Sequence, residues 1–95
     1  MSVAAQLKYL NLLPAQYNIM LALSQSRNAG LTLQHLCNDL SLRPTTCRHH
    51  TGILAVRGFL DRRAHQDVHI TPVGKAILRA AQEILAQSRQ PMIGH

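Results

Sequence analysis

Cys37, Cys47, His49 and His50 carry the most reactive side chains in this sequence, and three of them fall within four positions. Thiols and imidazoles at that density suggest a metal or redox centre, but the spacing argues otherwise. Successive residues on a helix point about 100° apart, so Cys47, His49 and His50 cannot converge on one tetrahedral ion. Cys37 and Cys47 can approach each other across a helix pair, yet both fall on apolar stripes and read as core. Two cysteines without a Cys-x-x-Cys pair make neither a zinc knuckle nor a disulfide framework. No metal and no cofactor is expected. The carboxylates of Asp39, Asp61, Asp67 and Glu83 stand singly along the chain, and no nucleophile has a base and an orienting partner at usable spacing. The reading is of a protein that is not an enzyme.

What remains is electrostatics. Ten Lys and Arg against four Asp and Glu give the 95-residue chain a formal net charge of +6 with its six histidines neutral, so an acidic partner is expected. Apolar residues make up 46% of the chain, enough for a packed core, which places the charge on a folded body and not on a disordered tail. Arg43, Arg48, Arg57, Arg62, Arg63 and Lys75 face only Asp61 and Asp67 between positions 43 and 75, and His49, His50, His65 and His69 lie there too. Tyr9, Tyr17 and Phe59 are the only aromatic residues. That scarcity speaks against modules that stack single-stranded bases on aromatic platforms, and leaves duplex binding as the fitting chemistry.

The elements that must position these charges follow from capping residues and apolar spacing. A first helix is expected over Val3 to Leu12, with Val3, Leu7 and Leu10 on one side. Pro14 opens a second that runs to about Ser26 through Tyr17, Ile19, Met20 and Leu23, and Asn28, Ala29 and Gly30 supply turn chemistry after it. Thr32 caps a short third helix, Leu33 to Leu40, whose Leu33, Leu36, Cys37 and Leu40 form one stripe. After the link Ser41-Leu42-Arg43, Pro44 opens a fourth helix to about Val56, stopped by Gly58. Two short helices on a three-residue turn make a helix-turn-helix over 32–57. Cys47, Thr51 and Leu54 face inward on the second of them, with His50 or Ile53 alongside. Thr45, Thr46, Arg48, His49 and Gly52 face out, an acid-free surface suited to base contact in a major groove. Arg48 is the candidate for a bidentate guanine contact, and Gly52 implies a close approach, since glycine in mid-helix costs about 1 kcal/mol relative to alanine. Phosphate contacts are expected from Thr32 and Gln34 at a helix start and from Arg43, Arg62, Arg63 and His65. Arg57 reads as a helix-end residue paired with the C-terminal dipole.

Beyond Gly58 the period becomes two. Residues 59–71 read as a hairpin that turns at His65-Gln66-Asp67, and Thr71 and Pro72 open a last helix with Val73, Ala76, Ile77, Ala80, Ala81, Ile84 and Leu85 in a stripe. The fold class is therefore mostly α with a small β-hairpin: one winged helix-turn-helix domain over 1–95, with flanking helices at 1–13 and 72–90. Leu7, Leu10, Val73, Ile77, Ala80, Ala81, Ile84 and Leu85 are expected to bury a dimer interface.

Leu13-Pro14-Ala15-Gln16-Tyr17, Leu31-Thr32-Leu33 with Leu36 and Leu40, Thr46, Leu54, Arg57-Gly58-Phe59-Leu60 with Arg62-Arg63, and Ile70-Thr71-Pro72-Val73-Gly74-Lys75 together resemble the MarR-type winged-helix transcriptional regulators, in a short form. The resemblance spans about residues 12–80. It implies a homodimer that binds a pseudo-palindromic operator, with Pro44–Val56 in the major groove and the hairpin beside the backbone. Three departures accompany it: a shorter wing between Arg63 and Ile70 without the Asp-Arg-Arg tip, His50 where the family places an aliphatic residue, and too few residues after the hairpin for the family's second long C-terminal helix. His50 then implies either a polar core contact or a slightly rotated helix. The missing helix leaves a small-molecule effector open but not expected.

The reading is thus a homodimeric regulator that binds specific double-stranded DNA sequences. The alternatives are a winged-helix protein-interaction module and an architectural or replication-associated DNA-binding accessory. The apolar runs are too short for a membrane span, and the unpaired cysteines suit a reducing compartment, so a cytoplasmic, nucleoid-associated location is expected.

Overall fold

The computed structural model describes residues 7–26, 30–62 and 67–89. Of the first expected helix, the described part is Leu7 and a 3-10 turn, Lys8–Leu10, that ends where Asn11 adopts φ 54°. Helix α1 spans Pro14–Gln25. Proline suits its first turn, where a missing N–H leaves nothing unpaired. The Gln16 side chain reaches back so that its Oε1 accepts the Leu13 N–H at 3.1 Å, capping a helix start that has no Ser, Thr, Asp or Asn. Ile19, Met20 and Leu23 are fully buried at helical spacing. The helix stops at Ser26, whose N–H and hydroxyl both donate to the Leu23 carbonyl, at 3.2 and 2.7 Å. Asn28 and Ala29, expected to form its turn, lie outside the described residues.

A strand then appears where the spacing suggested only a turn and a cap. Strand β1, Gly30–Thr32, pairs antiparallel with a later strand. Its last residue also caps helix α2, Leu33–Leu40, through a Thr32 hydroxyl that accepts the His35 N–H at 3.2 Å. Leu33, Leu36 and Cys37 are buried, and Leu40 half-buried. The helix ends with Ser41 at φ 53° and the Leu42 N–H on the Cys37 carbonyl at 3.0 Å. Helix α3, Pro44–Val56, follows at once and buries Cys47, Thr51 and Leu54. Gly58 ends it at φ 82°, a left-handed backbone that other L residues rarely adopt.

Strands β2, Leu60–Arg62, and β3, Asp67–Ile70, complete a sheet of order β1-β3-β2, antiparallel throughout; Asp67, expected in the hairpin turn, is the first residue of β3 and pairs with Thr32. Val68 faces Leu31 on one side and Arg62 on the other. The wing is therefore the outer part of a three-stranded sheet, tied to the start of the helix-turn-helix by β1. Thr71 next joins three elements: its hydroxyl donates to the Gly58 carbonyl at 2.6 Å and accepts the Gly74 N–H at 3.0 Å, capping helix α4, Pro72–Arg89, against the end of α3.

The buried face of α4 differs from the expected stripe. Gly74, Leu78, Ala81 and Leu85 are buried, whereas Val73 is 56% exposed and Ala76 is exposed. The face is set by Gly74, where the helix backbone lies so close to the Phe59 carbonyl that a Cβ would overlap it. Among the residues expected at a dimer seam, Leu7, Ala81 and Leu85 are closed over within the single chain and belong to its own core. Leu10, Ile77, Ala80 and Ile84 are half-buried, and with Val73 they retain accessible surface.

Candidate nucleic-acid interface

Burial of Cys47, Thr51 and Leu54 fixes which side of α3 can meet a partner. Thr45, Arg48 and His49 are exposed, and Thr46 and Gly52 are half-buried beside them. The helix is therefore not rotated relative to its apolar spacing. His50 takes the other alternative, a polar contact: its Nδ1 lies 3.4 Å from Nε2 of Gln16, which is buried in α1. Burial, and secondarily the charge of neighbouring His49, pushes the His50 pKa below its ordinary value, so the ring is neutral at pH 7. The two imidazoles lie 5.5 Å apart, one half-buried and the other exposed on the outer face.

Other elements bring further polar groups to this face. Thr32 and Gln34 are exposed at the start of α2, and Arg43 is exposed in the tight link. Arg62 leans over from β2, with Nη1 3.9 Å from where a Cβ on Gly52 would sit. Arg43, Arg48 and Arg62 make no ion pair among the described residues. Arg63 and His65 lie outside the described residues.

Two residues of the face were not among the expected contacts, although the spacing carried a signal for each. Asn38 joins Gln34 and Arg48 around a cavity of about 310 Å³ between α2 and α3, with Cys37 also in its wall. Its position four residues after Gln34, on the same helix face, was the available signal. Val56 is 89% exposed and ends an open groove of about 490 Å³ that runs past Arg48, His49 and Gly52. The spacing 45, 49, 52, 56 places it on the outward stripe.

Arg57 does something other than pair with its own helix. Its guanidinium donates to the carbonyls of Asn11 and Leu10 at 2.8 and 2.9 Å and lies 4.5 Å from the centre of the Phe59 ring. The dipole end it satisfies is that of the preceding 3-10 turn. On the inward side of α3, the Cys47 thiol is pushed up to about 12, by burial first and then by the adjoining Cys37 thiol, so it is protonated at pH 7. Among the described residues no group of three or more His, Cys, Asp or Glu gathers as a metal site, and no helix is long and apolar enough to cross a membrane.

The sequence matches no protein-family model and no curated protein. The structure is similar to many solved ones. Sco5413, a MarR family transcriptional regulator from Streptomyces coelicolor, superposes with a TM-score of 0.86 at 24% identity over 90% of this chain and 62% of its own. MepR, a transcription regulator of the Staphylococcus aureus multidrug efflux pump MepA, gives 0.84 at 17% identity over 93% and 68%. The Mycobacterium tuberculosis MarR family protein Rv2887 gives 0.81 at 24% identity over 90% and 63%. The chain therefore has the winged-helix fold of the MarR regulators and spans somewhat under two-thirds of the length of two of these three structures.

Proposed function

We propose that this protein binds double-stranded DNA as a homodimeric transcriptional regulator, with α3 in the major groove. The observation that carries the reading is the outward face of α3: free of carboxylates, bearing Arg48 and flanked by Arg43 and Arg62, none of which forms an ion pair among the described residues. On a fold shared with transcriptional regulators, such a face matches the electronegative groove of B-DNA. Thr45, Thr46, Arg48, His49 and Gly52 would meet base edges, and Thr32, Gln34, Arg43, Arg62, Arg63 and His65 the phosphates. The accessible surface of Leu10, Val73, Ile77, Ala80 and Ile84 would join two copies, as a palindromic site requires. Such a regulator would work in the cytoplasm, at the nucleoid, and no catalytic role is assigned to it.

The test is binding to duplexes selected from a random pool, followed across salt concentrations. With about three to five phosphates neutralised per subunit, log K should fall against log[salt] with a slope of roughly −5 to −9 for the dimer. Binding that is undetectable or insensitive to salt rejects the reading.

A further inference from the structure

Val56 has no part in the contacts assigned above, yet it stands on the same stripe of α3. At about 100° per residue, Thr45, His49, Gly52 and Val56 fall within about 60° of one another around the helix axis, so the valine faces the way the other three face. Its side chain is 89% exposed. The groove of about 490 Å³ that it ends begins at Arg48 and His49, crosses Gly52, and has half-buried Ile53 as its other aliphatic wall. Arg57 also borders the groove, but its guanidinium is drawn away to the carbonyls of Asn11 and Leu10, at 2.8 and 2.9 Å, and leaves Val56 uncovered. The groove therefore changes along α3, from a guanidinium and an imidazole to the methyl groups of a valine and an isoleucine.

We propose that Val56 reads the C5-methyl group of a thymine in the major groove and is a specificity-determining residue of the duplex site. The inference rests on the DNA reading above and adds to it a base contact made through carbon. Every base pair presents hydrogen-bonding atoms in the major groove, and thymine alone adds an apolar group. Against the edge of a guanine, an adenine or an unmodified cytosine, Val56 would take water from polar atoms without pairing them; against the thymine methyl, two apolar surfaces leave water together. A phosphate does not suit this end of the groove, because it calls for donors and those of Arg57 are engaged by the two carbonyls. Gly52 admits the base, since no side chain stands there between His49 and Val56. Val56 follows Arg48 by eight positions. At 1.5 Å per residue and 3.4 Å per base step, that puts the thymine about three to four base pairs from the guanine offered to Arg48.

The test uses the full-length chain and the duplexes selected for it from a random pool. Each thymine of the half-site is replaced in turn by uracil, which removes the methyl and keeps every hydrogen-bonding atom. Each cytosine is replaced by 5-methylcytosine, which adds the methyl. Affinities of the wild type and of Val56→Ala are then measured by fluorescence anisotropy at one salt concentration. One thymine is expected whose loss of methyl weakens wild-type binding about fourfold for each half-site changed, the worth of one buried methyl. The same replacement should change the affinity of Val56→Ala little. That variant should melt no lower than the wild type, because the side chain it shortens is exposed and alanine suits a helix better than valine. Val56→Ser gives the same comparison where the alanine variant does not fold. A selected half-site without thymine, full wild-type affinity for every uracil duplex, an equal loss in wild type and variant, or a response confined to methylated cytosine would each overturn the proposal. The two readings fail separately: binding to no duplex removes the DNA reading and this inference with it, whereas binding that ignores the methyl removes this inference alone.

Discussion

The Gln16 amide and the His50 ring meet at 3.4 Å between α1 and α3, and the contact sets the tautomer of the imidazole. Gln16 Oε1 is occupied by the Leu13 N–H, so Nε2 is the group left to donate. His50 Nδ1 must then accept, which places the imidazole proton on Nε2 and requires a neutral ring. Protonation would put a second donor in front of a buried donor.

Acid should therefore weaken the fold through His50. Its pKa in the folded chain lies below the ordinary value of about 6.5, whereas the unfolded chain titrates near that value. Below pH 6.5 the unfolded state takes up a proton that the folded state resists, so stability falls as pH drops toward the folded pKa. The melting temperature should decline between pH 7.5 and 5. His50→Gln, which can accept from Gln16 without titrating, should show a shallower decline; an unchanged slope would mean that the contact does not govern it.

Arg57 ties the end of α3 to the chain that precedes α1. Two charge-assisted hydrogen bonds to the carbonyls of Asn11 and Leu10, one of them partly buried, should make Arg57→Ala cost about 1–2 kcal/mol. Arg57→Lys should recover only part of that, since a point charge cannot span both carbonyls or stack on Phe59 in the same way. Urea unfolding at fixed protein concentration measures both. Equal stability of the alanine and wild-type chains would show that solvent replaces the bridge without loss.

Much of this architecture was legible because the chain marks its helix starts. Pro14, Pro44 and Pro72 stand at first-turn positions, and Thr32 and Thr71 cap as their types suggest. The outward face of α3 followed from the spacing of Cys47, Thr51 and Leu54. Strand β1 was hidden because three residues carry no period, and its pairing is to residues almost forty positions away. A glycine in it reads as a turn, although Gly30 is small because the His69 imidazole crosses it. The face of α4 was misjudged because glycine counts as neither apolar nor polar, yet Gly74 is the contact that sets the helix rotation. Leu7 and Leu85 could not be sorted between their own core and a partner's surface, since periodicity reports a buried face without saying what buries it. Asn38 and Val56 escaped notice because one is an ordinary helix-surface residue and the other an ordinary core type.

Gly74→Ala should be strongly destabilising for its chemistry. The added methyl would overlap the Phe59 carbonyl and come within 2.8 Å of Ile70 Cγ1, with a backbone atom among the obstacles. Helix α4 would have to shift away from the end of α3, straining the Thr71 cap. A cost of about 1–3 kcal/mol is expected, against the gain of a fraction of a kcal/mol that alanine brings to an unobstructed helix position. Thermal unfolding that shows a rise in stability would mean that α4 does not rest on Phe59.

Arg48 and Arg62 should separate readout from attraction. Arg48 projects from the middle of the outward face, and its loss should flatten discrimination between the selected site and single-base variants by about 1–3 kcal/mol at one position. Arg62 stands on the sheet beside α3, where a phosphate contact is sequence-blind. Arg62→Ala should weaken all duplexes alike and reduce the magnitude of the salt slope by about 1 per subunit. The same loss in both variants, on every sequence, would remove the distinction between the two roles.

Gly52→Ala gives the sharpest separation of folding from binding, because its two effects have opposite signs. Among the described residues nothing opposes a methyl there: the nearest group is Arg62 Nη1 at 3.9 Å, an ordinary contact. Alanine in mid-helix is favoured over glycine by about 0.5–1 kcal/mol, so the variant should be more stable to heat and urea than the wild type. Yet position 52 lies on the face assigned to the major groove, between His49 and Val56, where a methyl would occupy space that glycine leaves open to a base or phosphate. Duplex affinity should therefore fall while stability rises. A variant that gains stability and binds duplex as well as the wild type would show that no partner approaches the helix at this point, and would move the docking face toward Gln34 and Asn38.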